Sequence, residues 1–229
     1  CAVTRWMCAT GCSGTTGVPN AIRRAGDVSE LLAELFSSKV RAQVLGHMLP
    51  RAHSGYSLTE LSRILGPPIS SLQHECYKLE RIGVIKGKRE GNSRRYRVSP
   101  ACPILHELTA LVVRGIGETE ALRAALEDIP GLEAAFLARS LPLDPTEGEQ
   151  PTAGLIPLVL IGEVSLEAVD DAQARVASLL DLPAGRIEAV FYLPTDWRDR
   201  LEQQSQYAVW LISGPRTDLL GDPIGAGLA

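Results

Sequence analysis

The stretch Ser57–Val98, SLTELSRILGPPISSLQHECYKLERIGVIKGKREGNSRRYRV, decides how the chain folds. Leu58, Leu61, Ile64 and Leu65 recur at helical spacing behind Ser57, an N-cap type of residue with Glu60 three places on. Gly66-Pro67-Pro68 stops that helix, and a second is expected from about Ile69. In it Ile69, Leu72, Cys76, Leu79 and Ile82 form one buried stripe, with Ser70, Ser71, Gln73, His74, Tyr77 and Lys78 opposite. Gly83 caps this helix. Val84-Ile85 and Tyr96/Val98 then frame a hairpin that turns at Glu90-Gly91-Asn92.

Helix, tight turn, helix and basic two-stranded hairpin is the order of a winged helix-turn-helix. The outward residues of the second helix are short polar donors, an amide, an imidazole and a cation, types that suit base edges and phosphates in a major groove. The hairpin holds Lys86, Lys88, Arg89, Arg94, Arg95 and Arg97 against one acid, Glu90. A charge run alone is usually a solvated face; directly after a helix-turn-helix it becomes a wing that can straddle a phosphate backbone. The candidate DNA-binding residues are therefore Ser70, Ser71, Gln73, His74, Tyr77, Lys78, Lys88, Arg89, Asn92, Arg94, Arg95 and Arg97.

The runs LFSSKVRAQVLGHML, YSLTELSRILG and ISSLQHECYKLERIGVIKGKREGNSRRYRV, together spanning Leu35 to about Pro103, resemble the small winged-helix transcription regulators of the ArsR/MarR-like kind. Within that group the similarity is greatest to regulators whose wing is followed by a minimal nucleotidyltransferase-like domain. The resemblance implies an α+β chain: an N-terminal winged helix-turn-helix, then a small α/β nucleotidyltransferase-like domain. It also implies double-stranded DNA as partner and a homodimer on a palindromic operator. ArsR-type relatives often carry paired Cys on the recognition helix for metal or redox sensing. Here Cys76 stands alone, at a core position.

The totals fit that organisation. With 229 residues, 45% of them hydrophobic and 22% charged, the chain is long enough for two small cores. Its net charge of -4 argues against a nucleic-acid binder until the distribution is considered. Residues 39–97 hold twelve Lys/Arg and four Asp/Glu, whereas residues 98–229 hold eight and twenty. Such asymmetry points to a basic binding module on an acidic body. No run of eighteen apolar residues suggests a membrane span, and five cysteines, three of them in the first twelve residues, make no disulfide framework. A cytoplasmic home is the expectation.

Residues 1–26 lack apolar periodicity and are expected to be a poorly ordered tail, in which Cys1, Cys8 and Cys12 lack a fourth ligand for a metal. The winged-helix domain is placed at 27–102, opening with a helix over Asp27–Phe36 and a second one, capped by Ser37 or Ser38, that ends by Pro50. Lys39 and Arg41 at its start are further candidates for phosphate contact. Residues 103–128 are expected to form one long helix over Ile104–Glu127, bent at Gly115 and Gly117, with an apolar stripe wide enough for a dimer element or a domain bridge. The second domain, 129–222, carries strand-length runs at Leu132–Ala138 and Leu155–Ile161 around an acidic loop, Leu141–Thr152. There follow a helix over Ser165–Leu182, a strand over Arg186–Tyr192, a helix capped by Thr195, a further apolar run at Tyr207–Ile212 and an edge strand at Thr217–Leu220, before a tail at 223–229. Trp197 and Trp210 are expected core anchors; His47, His53 and His106 lack companions at metal or catalytic spacing.

In the nucleotidyltransferase-like domains that this half resembles, a Gly-Ser pair admits a triphosphate and two alternate Asp residues on the next strand hold Mg²⁺. The corresponding positions here are Arg139-Ser140, and Leu155 and Pro157. Only Ser140 matches. Asp144, Glu147 and Glu149 are the alternative ligands, on a loop without the fixed spacing of a strand. The expectation is a catalytically inactive domain with no cofactor, its role open among effector sensing, dimerisation and docking of another protein; relocated ligands in an active transferase, and a metal- or redox-responsive switch, are the rival readings.

Overall fold

The computed structural model of the chain describes residues 25–138, 155–183 and 185–225, with side chains from 30 onward. The chain is a mixed α+β protein with two small sheets. The first unit runs α1 (Ala25–Leu35), α2 (Lys39–Met48), β1 (Tyr56–Ser57), α3 (Leu58–Leu65), α4 (Ile69–Arg81), β2 (Ile85–Glu90) and β3 (Ser93–Val98). Its boundaries follow from local chemistry. Ser38 Oγ accepts from the Arg41 N–H at the start of α2, and Ser57 and Glu60 form the reciprocal capping box of α3. Gly66, at φ 90°, ends α3 in the left-handed conformation. Gly91, at φ 60°, makes the two-residue turn that leaves Glu90 opposite Ser93.

The three strands, in order β1-β3-β2, are antiparallel. Ile85, Tyr96 and Val98 join Leu72, Cys76 and Leu79 of α4 in one buried core with Val44, Leu45 and Met48 of α2. The expected α4 stripe is shorter than its periodicity suggested. Ile69 and Ile82 are 45% and 61% exposed, because α4's end turns project past the core; Ile64 on α3 is exposed as well.

The single helix expected over Ile104–Glu127 is two helices, α5 (Leu105–Ile116) and α6 (Glu118–Leu126). Gly117 separates them at φ 94°, ψ 134°, a conformation outside the helical region. The break lets one stripe serve two cores: Val112 belongs to the first, its neighbour Val113 to the second, and Ile116 packs on both.

The second unit is a four-stranded sheet, order β6-β5-β4-β7, covered on both faces. It is built from β4 (Leu132–Leu137), β5 (Ile156–Gly162), α7 (Leu166–Leu179), β6 (Ile187–Tyr192), α8 (Pro194–Glu202), α9 (Gln206–Ser213) and β7 (Thr217–Leu220). Strand β4 is antiparallel to both neighbours, while β5 and β6 are parallel and joined through α7. Alternation sorts the side chains: Ala135, Leu137, Leu158 and Leu160 face α6 and α7, and Ala134, Phe136, Val159 and Ile161 face α8 and α9. Burial on both faces explains why β5 is apolar throughout. Thr195 is not the cap of α8; the helix begins at Pro194 after Leu193. The apolar run Tyr207–Ile212 lies in helix α9. Trp197 is fully buried, its indole N–H donating to the Pro223 carbonyl at 2.6 Å. Trp210 is not a core anchor: it is 57% exposed and stacks on Tyr207, since Ala208, Leu211 and Ile212 are the residues of α9 that turn to the sheet.

Polar contacts fasten the two units. Arg51 forks onto Glu127, His53 Nε2 lies 2.5 Å from Asp128 Oδ2, and Arg175 on α7 reaches Asp128 at 3.1 Å. His106 pairs with Asp181 at 3.1 Å. Behind them His47 Nδ1 accepts from Arg51, and its ring meets Tyr56 edge-on. Burial, then the Arg51 charge, push the His47 imidazole down to about 4.

Two outcomes follow. A depressed histidine favours the neutral fold, so its contribution is complete above the unfolded value of 6.5 and fades as pH falls from there through about 4. The native chain should lose at most about 3 kcal/mol over that window that His47→Gln does not lose, read from urea midpoints against pH; parallel curves for the two proteins would remove His47 from the balance. At Gly131, φ 78°, an added Cβ would lie 2.2 Å from the Glu163 carbonyl oxygen. Gly131→Ala should cost about 3 kcal/mol in the same assay, and a loss under about 1 kcal/mol would mean that the strand ends part freely there.

Candidate nucleic-acid interface

Helix α4 and the β2–β3 hairpin share a buried side, so their other sides form one surface. A concavity of about 510 Å³ lies there, lined by Ser70, Gln73, His74 and Tyr77 of α4 with Glu80, Arg94 and Tyr96. Four outward residues of the helix and one wing arginine thus converge. Tyr77 is 62% exposed. Lys88, Arg89 and Asn92 stand exposed at the far end of the hairpin, and Lys88 and Arg89 have no ion-pair partner among the described residues. Ser71 is half-buried on α4, set back from the concavity.

The arginines of β3 are not free, contrary to a count of the hairpin alone. Arg94 pairs with Glu80 at 2.6 Å and stacks over Tyr96. Arg95 reaches Glu60 at 3.3 Å, the Gly55 carbonyl and, more distantly, Glu90. Arg97 pairs with Glu90 at 3.5 Å and donates to the His53 carbonyl. Two of these three carboxylates come from α3 and α4, outside the hairpin. Hydrogen bonds from Ser57 hold the Glu60 carboxyl below its ordinary range, helped by the Arg95 charge, so it stays an anion beside the wing.

Lys78 and Arg41, both candidates for phosphate contact, meet at a residue that periodicity alone passes over. Glu75 is a buried carboxylate of α4 itself, bound by Arg41 at 2.8 Å and Lys78 at 3.2 Å. Burial alone would push its carboxyl up, but hydrogen bonds and charge from these two cations outweigh that and keep it low. Arg41 also donates to the Phe36 carbonyl, so its guanidinium braces α2 against α4. Only the spacing Glu75…Lys78, one helical turn, hints at this in the sequence. Lys39 remains exposed at the start of α2.

Cys76 is fully buried, and burial pushes its thiol up to about 12, so it is not a thiolate near neutral pH. Among the described residues no group of three or more His, Cys, Asp and Glu could hold a metal ion, and no helix is long and apolar enough to cross a membrane. Leu155 is exposed before β5 and Pro157 is buried within it; neither side chain offers a metal an oxygen. Arg139, Ser140, Asp144, Glu147 and Glu149 lie outside the described residues, as do Cys1, Cys8 and Cys12. Comparison with family models, curated proteins and solved structures gave no match for this chain.

Replacing Glu75 removes the carboxylate that holds Arg41 and Lys78 to α4. Glu75→Ala is expected to cost about 2 kcal/mol in urea unfolding, and an unchanged midpoint would mean that the Arg41–Glu75–Lys78 cluster is surface decoration.

Proposed function

We propose that the chain is a sequence-specific DNA-binding transcription regulator. Helix α4 lies in a major groove, the β2–β3 hairpin acts as a wing on the backbone, and the α/β unit is a nucleotidyltransferase-like fold without transferase activity. The observation that carries this is the shared concavity in which Ser70, Gln73, His74 and Tyr77 meet Arg94 of the wing. Gln73 and His74 supply groups for base edges, and Ser70 and Lys78 hydrogen-bond donors for phosphate.

The internal pairing of the wing arginines changes which residues touch DNA without abolishing the attraction. The excess of twelve cations over four acids in residues 39–97 already counts Glu60, Glu80 and Glu90. The long-range field that draws a polyanion therefore survives. Pairs as exposed as Arg94–Glu80 are screened by water and hold weakly, so a phosphate can compete for them. Lys88 and Arg89 at the tip are ready for phosphate from the start, while Arg95 and Arg97 brace the wing against residues 53–55 and Glu60.

Dimerisation is supported by Leu31 and Leu35 of α1 and Leu111 of α5, exposed on helices that pack together; a two-fold dimer would read two half-sites of a palindrome. The lost activity rests on Leu155 and Pro157 at the metal-ligand positions. A reducing, cytoplasmic setting suits the free, buried Cys76 and Cys102.

Fluorescence anisotropy on a random duplex over a salt series tests the assignment of roles. Lys88→Ala with Arg89→Ala should reduce the slope of log K against log salt by about 2, and Glu80→Gln, which unmasks Arg94, should raise affinity. No measurable binding, or a slope untouched by the tip variants, would defeat the proposal.

A further inference from the structure

Among the described residues, four strands lie at the edges of the two sheets, and three of them are short or charged. Strand β1 has two residues and β7 four, while β2 carries Lys86, Lys88 and Arg89. Such edges resist pairing with another chain. The fourth, β6, reads IEAVFY over Ile187–Tyr192, six residues with one charge and no proline. We propose that β6 pairs with β6 of a second copy, antiparallel about a two-fold axis at Val190, so that the two four-stranded sheets become one.

The backbone selects this register. The Ile156 N–H donates to the Arg186 carbonyl at 2.8 Å, so in the parallel ladder Glu188, Val190 and Tyr192 also turn their backbone groups to β5. Ile187, Ala189 and Phe191 turn theirs outward. Gln173 of α7 takes the Ile187 carbonyl at 2.7 Å, whereas the outward groups of Ala189 and Phe191 meet no partner among the described residues. With the axis at Val190, Ala189 faces Phe191 of the second copy, and each such pair exchanges two N–H···O bonds that satisfy all of these groups. An axis at Ala189 would set Phe191 against the Ile187 carbonyl that Gln173 already holds. One at Phe191 would set Ala189 against Leu193, whose carbonyl already accepts from the Trp197 N–H.

The side chains fit the same register. A small residue, Ala189, lies opposite a large one, Phe191. Glu188 falls opposite Tyr192 of the second copy, whose ring has the Arg200 guanidinium 5.3 Å from its centroid. Glu188 and Arg200 are exposed and make no salt bridge within the described residues, so each copy's acid meets the other's cation. On the other face Leu193, 40% exposed with an extended backbone (φ -67°, ψ 148°), falls opposite Ile187 of the second copy. A groove of about 420 Å³ between α7 and β6 lies there, lined by Gln173, Ala174, Ala177 and Leu182. Charge and shape together name a second copy as the occupant. The contact is separate from Leu31, Leu35 and Leu111 on α1 and α5, and it does not rest on duplex binding.

Sedimentation of the full chain over a concentration series tests the pairing. Glu188→Arg should halve the mass of the associated native chain, and adding Arg200→Glu should restore it, which a folding defect would not allow. Val190→Cys, oxidised in air under native conditions, should yield the tryptic peptide 187–198 joined to itself, because opposed residues of a non-hydrogen-bonded pair lie about 4.5 Å apart, within disulfide reach. Phe191→Cys should not, since Ala189 faces it. A mass unchanged by Glu188→Arg, a double variant as light as the single one, or equal self-linkage at positions 190 and 191 would each overturn the inference. A native chain that never associates overturns it too, and leaves the edge to a strand of another protein. Association as expected without duplex binding sinks the proposed function alone; duplex binding by a chain that fails these tests sinks this inference alone.

Discussion

The seating of the hairpin on α4 determines what the rest of the first unit can present. Strand alternation buries Tyr96 and Val98 of β3 against Leu72, Cys76 and Leu79, so the hairpin has one orientation relative to the helix. A slip of one residue in the β2–β3 register would turn Arg95 and Arg97 into the core, at a cost no small domain could absorb. The same seating leaves Gln73, His74 and Tyr77 outward on the same side as Arg94. Helix and hairpin therefore form a single surface because they share a single core.

The arginines of that surface show what short-range sequence analysis can and cannot carry. A count along Ile82–Val98 finds six cations and one acid, and the excess is real. Folding nevertheless brings Glu60 from α3 and Glu80 from α4 onto Arg95 and Arg94, and Glu90 across the hairpin onto Arg97. Charge in a window predicts the field; it does not predict partners. Held guanidiniums are preorganised, losing less freedom when an acceptor arrives, and their carboxylates discourage acceptors in the wrong place.

The capping box at Ser57 and Glu60, the stop at Gly66-Pro67-Pro68, the start of α4 at Ile69 and the hairpin turn were legible because each is a local rule with a local signature. Strands β4, β5 and β6 were legible from apolar runs of strand length. At Gly117 a bend was legible but the break into two helices was not, because Leu108, Val112, Ile116 and Leu122 make a continuous helical pattern, and only the existence of two cores on opposite sides decides that the chain must turn between them. The run Tyr207–Ile212 is of strand length but lies in a helix with two buried residues, Ala208 and Leu211; its Tyr207 and Trp210 face solvent. Glu75 looks like any helix-surface acid until Arg41 arrives from α2. In each case the missing information is long-range contact.

Contact between the α4–hairpin surface and a duplex is tested most directly by an NMR titration of the ¹⁵N-labelled chain with a short duplex. The shifts should gather at Ser70, Gln73, His74 and Tyr77 on α4 and at Lys88, Arg89 and Asn92 on the hairpin, with the Trp197 indole and helix α7 unmoved. A spectrum that does not change, or one that changes first in the acidic α/β unit, would contradict it.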